Sequence, residues 1–118
     1  MRQTQSGLDA MERHTFQYAQ AMRDFGKLLP RTVSNVEDLK MLMRTSGNVG
    51  ALYITAKGAA SKAEYLQRIR NCHTETQTTR YWLQLVDTQG NGELEVRRNK
   101  LLKVSEELLL AFQKLLQN

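Results

Sequence analysis

Cys72 and His73 are the two side chains whose meeting would matter most, since a thiol beside an imidazole is a minimal nucleophile–base pair. They are adjacent in sequence, and on a helix neighbours point about 100° apart, so they cannot form that pair by themselves. The other histidine is His14. A zinc site needs more Cys or His ligands at short spacing than the chain offers. The Glu-x-x-His pattern of di-iron bundles is missing too. Gly47-Asn48-Val49-Gly50 lacks the Lys-Ser/Thr that completes a phosphate-binding loop. Acid–base chemistry needs positioned groups with shifted pKa values, and here the candidates are scattered. The expectation is a protein that is not an enzyme, with no catalytic residue, metal or cofactor. Cys72 falls on an apolar stripe and reads as a small core residue.

Another chemistry suits the basic residues. Arg70, His73, Gln77 and Arg80 follow a 3,4,3 spacing and share a helix face, a stripe fit for phosphate contacts. The formal net charge is +5 and the pI about 9.6. Between Leu39 and Arg80 stand seven basic residues, opposed only by Glu64 and Glu75, so this stretch holds the whole excess. Such a local excess attracts polyanions, although solvated helix faces carry the same residue types. If the second and third helices form an antiparallel hairpin, Arg44 comes level with Arg80. The candidate nucleic-acid contacts are therefore Lys40, Arg44, Arg68, Arg70, His73 and Arg80.

Those side chains must be positioned by helices, because a 3,4 apolar spacing recurs in four segments. The first carries Leu8, Met11, Thr15, Tyr18, Met22, Phe25 and Leu29; the second Leu39, Leu42, Ser46, Val49, Tyr53 and Ala56. The third carries Tyr65, Ile69, Cys72, Thr76, Thr79, Leu83 and Val86; the fourth Leu94, Leu101, Leu108, Phe112 and Leu115. Four stripes sharing one core predict an all-α, up-down-up-down antiparallel four-helix bundle. The helices are expected at about 8–29, 35–58, 62–87 and 92–117, within one domain spanning 1–118. Pro30 stops the first helix. Ser34 with Glu37, and Ser61 with Glu64, read as capping boxes. Gly58 marks the end of the second helix, and Asn91 caps the fourth. Residues 87–92 form a turn rich in types that tolerate positive φ.

Two faces carry more than one core requires. The fourth helix is apolar over more than the usual arc, so Leu102, Leu109, Leu110 and Leu116 are candidate contacts with another copy of the chain. The alternative is a helix buried on two sides. The second helix carries Gly47, Gly50, Ala51 and Gly58, which let another helix approach closely. Trp82, the single tryptophan, buries a large surface in the core or at an interface. The lone Cys72, the absence of an apolar run long enough to span a membrane, and the polar first eight residues predict a soluble, cytoplasmic protein with no membrane partner.

Several short pieces also recur in a known order. They are Phe16 followed by Ala19, Leu29-Pro30, Arg44-Thr45-Ser46, Val49-Gly50-Ala51 and Ala60-Ser61-Lys62. After them come Glu75 ahead of Tyr81-Trp82-Leu83, and Glu106-Glu107-Leu108. In this order the chain, over roughly residues 15–116, resembles the small four-helix-bundle proteins encoded in intervening sequences of bacterial 23S ribosomal RNA genes. That family usually has an asparagine and then a glutamate in the middle of its second helix, where this chain has Leu52 and Thr55. It also has a second glutamate before the tryptophan, where Thr78 stands. The resemblance implies a homo-oligomer, a ring of five bundles, without enzyme activity. It also implies likeness to the accessory variability determinant proteins of retroelements, pentameric bundles that bind a reverse transcriptase and nucleic acid. The expected partners are thus further copies of the chain and RNA or DNA, with docking of a protein such as a reverse transcriptase as the alternative.

Overall fold

Asp9 opens the first helix by accepting a hydrogen bond from the Glu12 N–H at 2.7 Å, and Pro30 lies just past its end. In this computed structural model, which describes residues 9–117, the chain forms α1 (Ala10–Leu28), α2 (Val33–Lys57), α3 (Lys62–Leu85) and α4 (Gly92–Gln117). Leu8, expected at the start of the first helix, lies outside the described residues. Ser61 caps α3 by accepting from the Glu64 N–H, and Glu64 reaches back to the Ala60 N–H. Asn91 caps α4 through the Leu94 N–H. Positive φ occurs at Gln89 and Gly90, inside the turn expected to tolerate it.

The cap of α2 differs from the expectation. Thr32, not Ser34, accepts from the Asn35 N–H at 3.1 Å, and the helix starts at Val33. Asn35 explains the shift. Its side chain is fully buried and bonds across the bundle: Nδ2 donates to the Pro30 and Asp87 carbonyls, and Oδ1 accepts from the Asp87 N–H. Drawing Asn35 inward places it in the first turn and leaves Thr32 at the cap.

Cross-helix contacts fix the topology. Arg23 reaches Met43 and Tyr53 reaches Asp9, so α1 and α2 run antiparallel. Asn35–Asp87 and Arg68–Thr55 set α2 against α3 in the same sense, and Arg98–Gln84 with His73–Gln113 set α3 against α4. Tyr18 of α1 meets Ser105 of α4 at 2.6 Å and closes the circuit. The result is the up-down-up-down bundle, with its most extensive contact between α2 and α3 and its slightest between α1 and α4.

The four stripes meet inside it. Met22, Leu42, Val49, Ile69, Cys72, Leu83, Leu108 and Phe112 have no exposed surface. Burying each larger one fully is worth roughly 1.5–3 kcal/mol. Burial pushes the Cys72 thiol up to about 12, so it stays protonated in the core. The glycine face of α2 packs on α1: a Cβ at Gly50 would lie 2.9 Å from Thr15 Oγ1. Trp82 lies half-buried against the core, edge-on to Tyr81 at 5.2 Å. Among the described residues no helix is long and apolar enough to cross a membrane.

Asp9 also ties the start of α1 to the end of α2. Its carboxylate accepts from Tyr53 Oη at 3.0 Å and pairs with Lys57 at 3.1 Å; Lys57 also pairs with Glu12. Burial alone would raise the Asp9 pKa, but hydrogen bonds from the Glu12 N–H, Lys57 and Tyr53 hold it below the usual carboxylate value. A depressed folded-state pKa contributes stability above the unfolded value, near 3.8, and loses it as pH falls through the folded value. Asp9→Asn should therefore be less stable than the parent near neutrality, by under about 1 kcal/mol because the site is half-exposed. The gap should close as the pH falls below the folded-state value, which lies under 3.8. Urea melts at several pH values check this, and a gap that persists in acid would refute it.

Candidate nucleic-acid interface

Two basic edges of α3 point in opposite directions. Arg68 turns toward α2: Nη1 donates to the Thr55 carbonyl at 2.8 Å and Nη2 pairs with Glu64 at 3.1 Å. Glu75 faces the same way and accepts from Asn48 Nδ2 at 3.4 Å. Arg70, His73, Gln77 and Arg80 lie about 180° round the helix from that line. His73 Nε2 is 3.3 Å from Gln113 Nε2 of α4, and Arg80 pairs with Glu106 of α4. Glu75 and His73 therefore attend to different neighbours and form no acid–base couple. Among the described residues, no three His, Cys, Asp or Glu side chains gather as a metal-binding group.

The six candidate contacts are thus divided. Lys40 and Arg44 are exposed on α2, with Lys40 held by Glu37 at 3.0 Å. Arg68 occupies the α2–α3 seam. Arg70, His73 and Arg80 lie along the α3–α4 edge. Arg80 does not join Arg44, because its side of α3 turns toward α4 and away from α2.

The cations gather elsewhere. A plane through the Tyr18–Ser105 and Asn48–Glu75 contacts splits the bundle in two. The half holding the end of α1 and the start of α2 also holds the end of α3 and the start of α4. It carries ten basic residues: Arg23, Lys27, Arg31, Lys40, Arg44, Arg80, Arg97, Arg98, Lys100 and Lys103. Six acids oppose them: Asp24, Glu37, Asp38, Asp87, Glu93 and Glu95. In the other half, Arg13, Lys57, Lys62, Arg68, Arg70 and Lys114 are equalled in number by Asp9, Glu12, Glu64, Glu75, Glu106 and Glu107, although Glu106 pairs with Arg80 across the dividing plane. The excess that sequence order assigns to residues 39–80 is thus spread along two full helices. In space it is replaced by one at a single end of the bundle.

Within that half the end of α1 is the centre. Arg23, Lys27 and Arg31 follow one another at four-residue spacing and border a groove of about 240 Å³ floored by Gly26, Leu39 and Met43. On the α4 side, Arg97 and Lys100 line a cleft of about 520 Å³ with Asp24, Glu93, Phe25 and Leu101. Arg31, Arg44, Arg97 and Lys100 have no carboxylate within ion-pair distance among the described residues. The four-residue spacing of Arg23, Lys27 and Arg31 is visible in the sequence; the placement of Arg97 and Lys100 on the other side of α1 depends on α4 returning beside it.

The candidate oligomer contacts on α4 also divide. Leu109 is buried within the chain and Leu102 and Leu116 are half-buried against the core, whereas Leu110 is 59% exposed. Because α4 packs on both α1 and α3, most of its wide apolar arc is used internally.

Fold and surface together define a class, an all-α four-helix bundle with one cationic half. Comparison with protein-family models, with curated proteins and with solved structures finds no match.

Proposed function

We propose that this chain is a non-enzymatic, self-associating bundle that binds RNA through its cationic half. The observation that supports it best is that Arg31, Arg44, Arg97 and Lys100 all lie in one half of the bundle with no carboxylate within ion-pair distance among the described residues. Cations not engaged in ion pairs are available to phosphates, and each phosphate they neutralise releases counterions. The ring of five subunits implied by the family resemblance belongs to the same proposal. Five such patches on one assembly raise avidity without any new contact, which offsets the modest charge of each. A lone, buried cysteine accords with a cytoplasmic setting.

The test is RNA affinity measured over a series of salt concentrations. Affinity should fall steeply with salt. Arg44→Ala with Arg97→Ala and Lys100→Ala should weaken binding by about tenfold or more at low salt. The same change should flatten the log–log slope by roughly 0.7 for each lost contact to a single strand. Arg80→Ala should matter less, because Glu106 already occupies it. An unchanged slope in the triple variant would reject the cationic half as the RNA surface. Light scattering on the same samples reads the subunit number, and a monomer with and without RNA would remove the ring.

A further inference from the structure

The seam between α1 and α2 opens outward as a groove with two chemically different halves. In one half Phe16 and Ile54, 62% and 58% exposed, stand over Ala19, Gly47, Gly50 and Ala51. This half holds about 330 Å³ and is walled almost wholly by carbon. The other half is the cationic groove bordered by Arg23, Lys27 and Arg31. Arg23 joins the two. Its Nη1 donates to the Ala19 carbonyl at 3.0 Å, and its Nη2 lies 3.4 Å from the Met43 carbonyl and beside Gly47. Along α1, Arg23 and Lys27 lie about 10 and 16 Å beyond Phe16, at 1.5 Å per residue, and Arg31 follows in the connection past the helix end. The acid among the groove-lining residues is Glu12, at the far apolar end, and Lys57 already engages it.

We propose that this groove docks an acidic amphipathic helix of a partner protein. An apolar ridge at i, i+3 and i+4 would cover Phe16, Ala51 and Ile54. Acidic residues two to three turns along would meet Arg23 and Lys27, with Arg31 beyond them at the end of the groove. A helix laid in an apolar groove is a standard mode of recognition, and charge placement sets its direction and selects its partner. The carbon-walled half offers phosphates nothing, which argues against RNA as its occupant. A second copy presenting its exposed Leu110 is disfavoured by shape. The i±3 and i±4 neighbours of Leu110 are Glu106, Glu107, Gln113 and Lys114, so that face offers one apolar side chain and no apolar ridge to fill the groove. The proposal does not depend on RNA binding.

A library of displayed 16-residue helical peptides, selected on the immobilised full chain, tests it. Enriched peptides should carry an apolar ridge followed or preceded by acidic residues. Their synthetic versions should lose about tenfold or more in affinity for Phe16→Glu with Ile54→Glu. Both positions are exposed, so the variant should keep its helical circular dichroism. Lys27→Glu with Arg31→Glu should shift preference toward basic peptides. Enrichment without acids, unchanged affinity in the first variant, or unchanged preference in the second would overturn the proposal. So would an oligomer that the first variant converts to monomer, which gives the groove to a second copy, or loss of RNA affinity in that variant, which gives it to RNA. Failure of RNA binding in the parent protein alone would leave the peptide results standing.

Discussion

Asn35→Ala should remove about 3 kcal/mol of stability and lower the melting temperature by on the order of 10 °C. The side chain has no exposed surface. It makes three bonds at once, donating to the Pro30 carbonyl at 2.9 Å and the Asp87 carbonyl at 2.8 Å and accepting from the Asp87 N–H at 2.8 Å. These bonds tie the α1–α2 loop to the end of α3, at the same end of the bundle as the cationic surface. Truncation strands two carbonyls and one N–H, each costing about 1–3 kcal/mol if water cannot reach it. Asp87 and Pro30 are not buried, so water recovers part of that cost, and the sum is not reached.

Asn35→Asp separates the causes. It keeps the acceptor for the Asp87 N–H but replaces the amide donors with a buried charge facing two carbonyl oxygens. Burial raises the pKa of such a carboxyl, so the variant should gain stability relative to the parent as pH falls and the group protonates. Guanidinium melts at neutral and mildly acid pH measure both effects. A loss below about 1 kcal/mol for Asn35→Ala would show that this latch is not a main support of the loop.

The difference between what was legible and what was not follows the range of the cause. The stripe positions are set by helical period, a local property, and the predicted core residues from Thr15 to Phe112 lie buried or, like Tyr65, half-buried. The Ser61 and Asn91 caps are local as well, and both form. The start of α2 was not legible, because Thr32 and Ser34 can both cap a helix and Ser34 with Glu37 is the stronger local signal. The choice between them is made by Asn35 bonding to Asp87, 52 residues away. The breadth of the apolar arc on α4 was visible, but its division between Leu109 inside and Leu110 outside depends on which helices flank it.

Charge shows the same limit. A count along residues 39–80 averages over the full length of a hairpin, and Glu106 of α4 then removes Arg80 from the tally. The candidate surface arises only when the chain's first and last helices lie side by side. That places Arg97 and Lys100 next to α1, whose Arg23 and Lys27, with Arg31 just beyond, belong in sequence order to an outer segment that is neutral overall. Arg44 belongs to both descriptions, since it is exposed on α2 and lies in the cationic half. Tests of RNA binding therefore discriminate best at Arg97 and Lys100.

Gly50→Val should be as damaging as the loss of Asn35, at about 3 kcal/mol, although valine is the better helix former. A Cβ at Gly50 would sit 2.9 Å from Thr15 Oγ1 and 3.3 Å from Thr15 Cβ. Thr15 cannot turn aside cheaply. It is buried, its hydroxyl donates toward the Met11 and Glu12 carbonyls, and its branched Cβ is the second atom in the way. Even Gly50→Ala should therefore lose stability, by about 1 kcal/mol, despite a helix-propensity gain of similar size. Thr15→Ala combined with Gly50→Ala should recover part of that loss, because the closest of the two contacts disappears. Thermal melts of the four proteins in this cycle give the coupling directly. Additive single effects would mean that α1 and α2 have slack at this contact. Coupling would show that they are held close here, at the floor of the groove, so a larger residue at position 50 would spread the helices and weaken peptide docking at the same time.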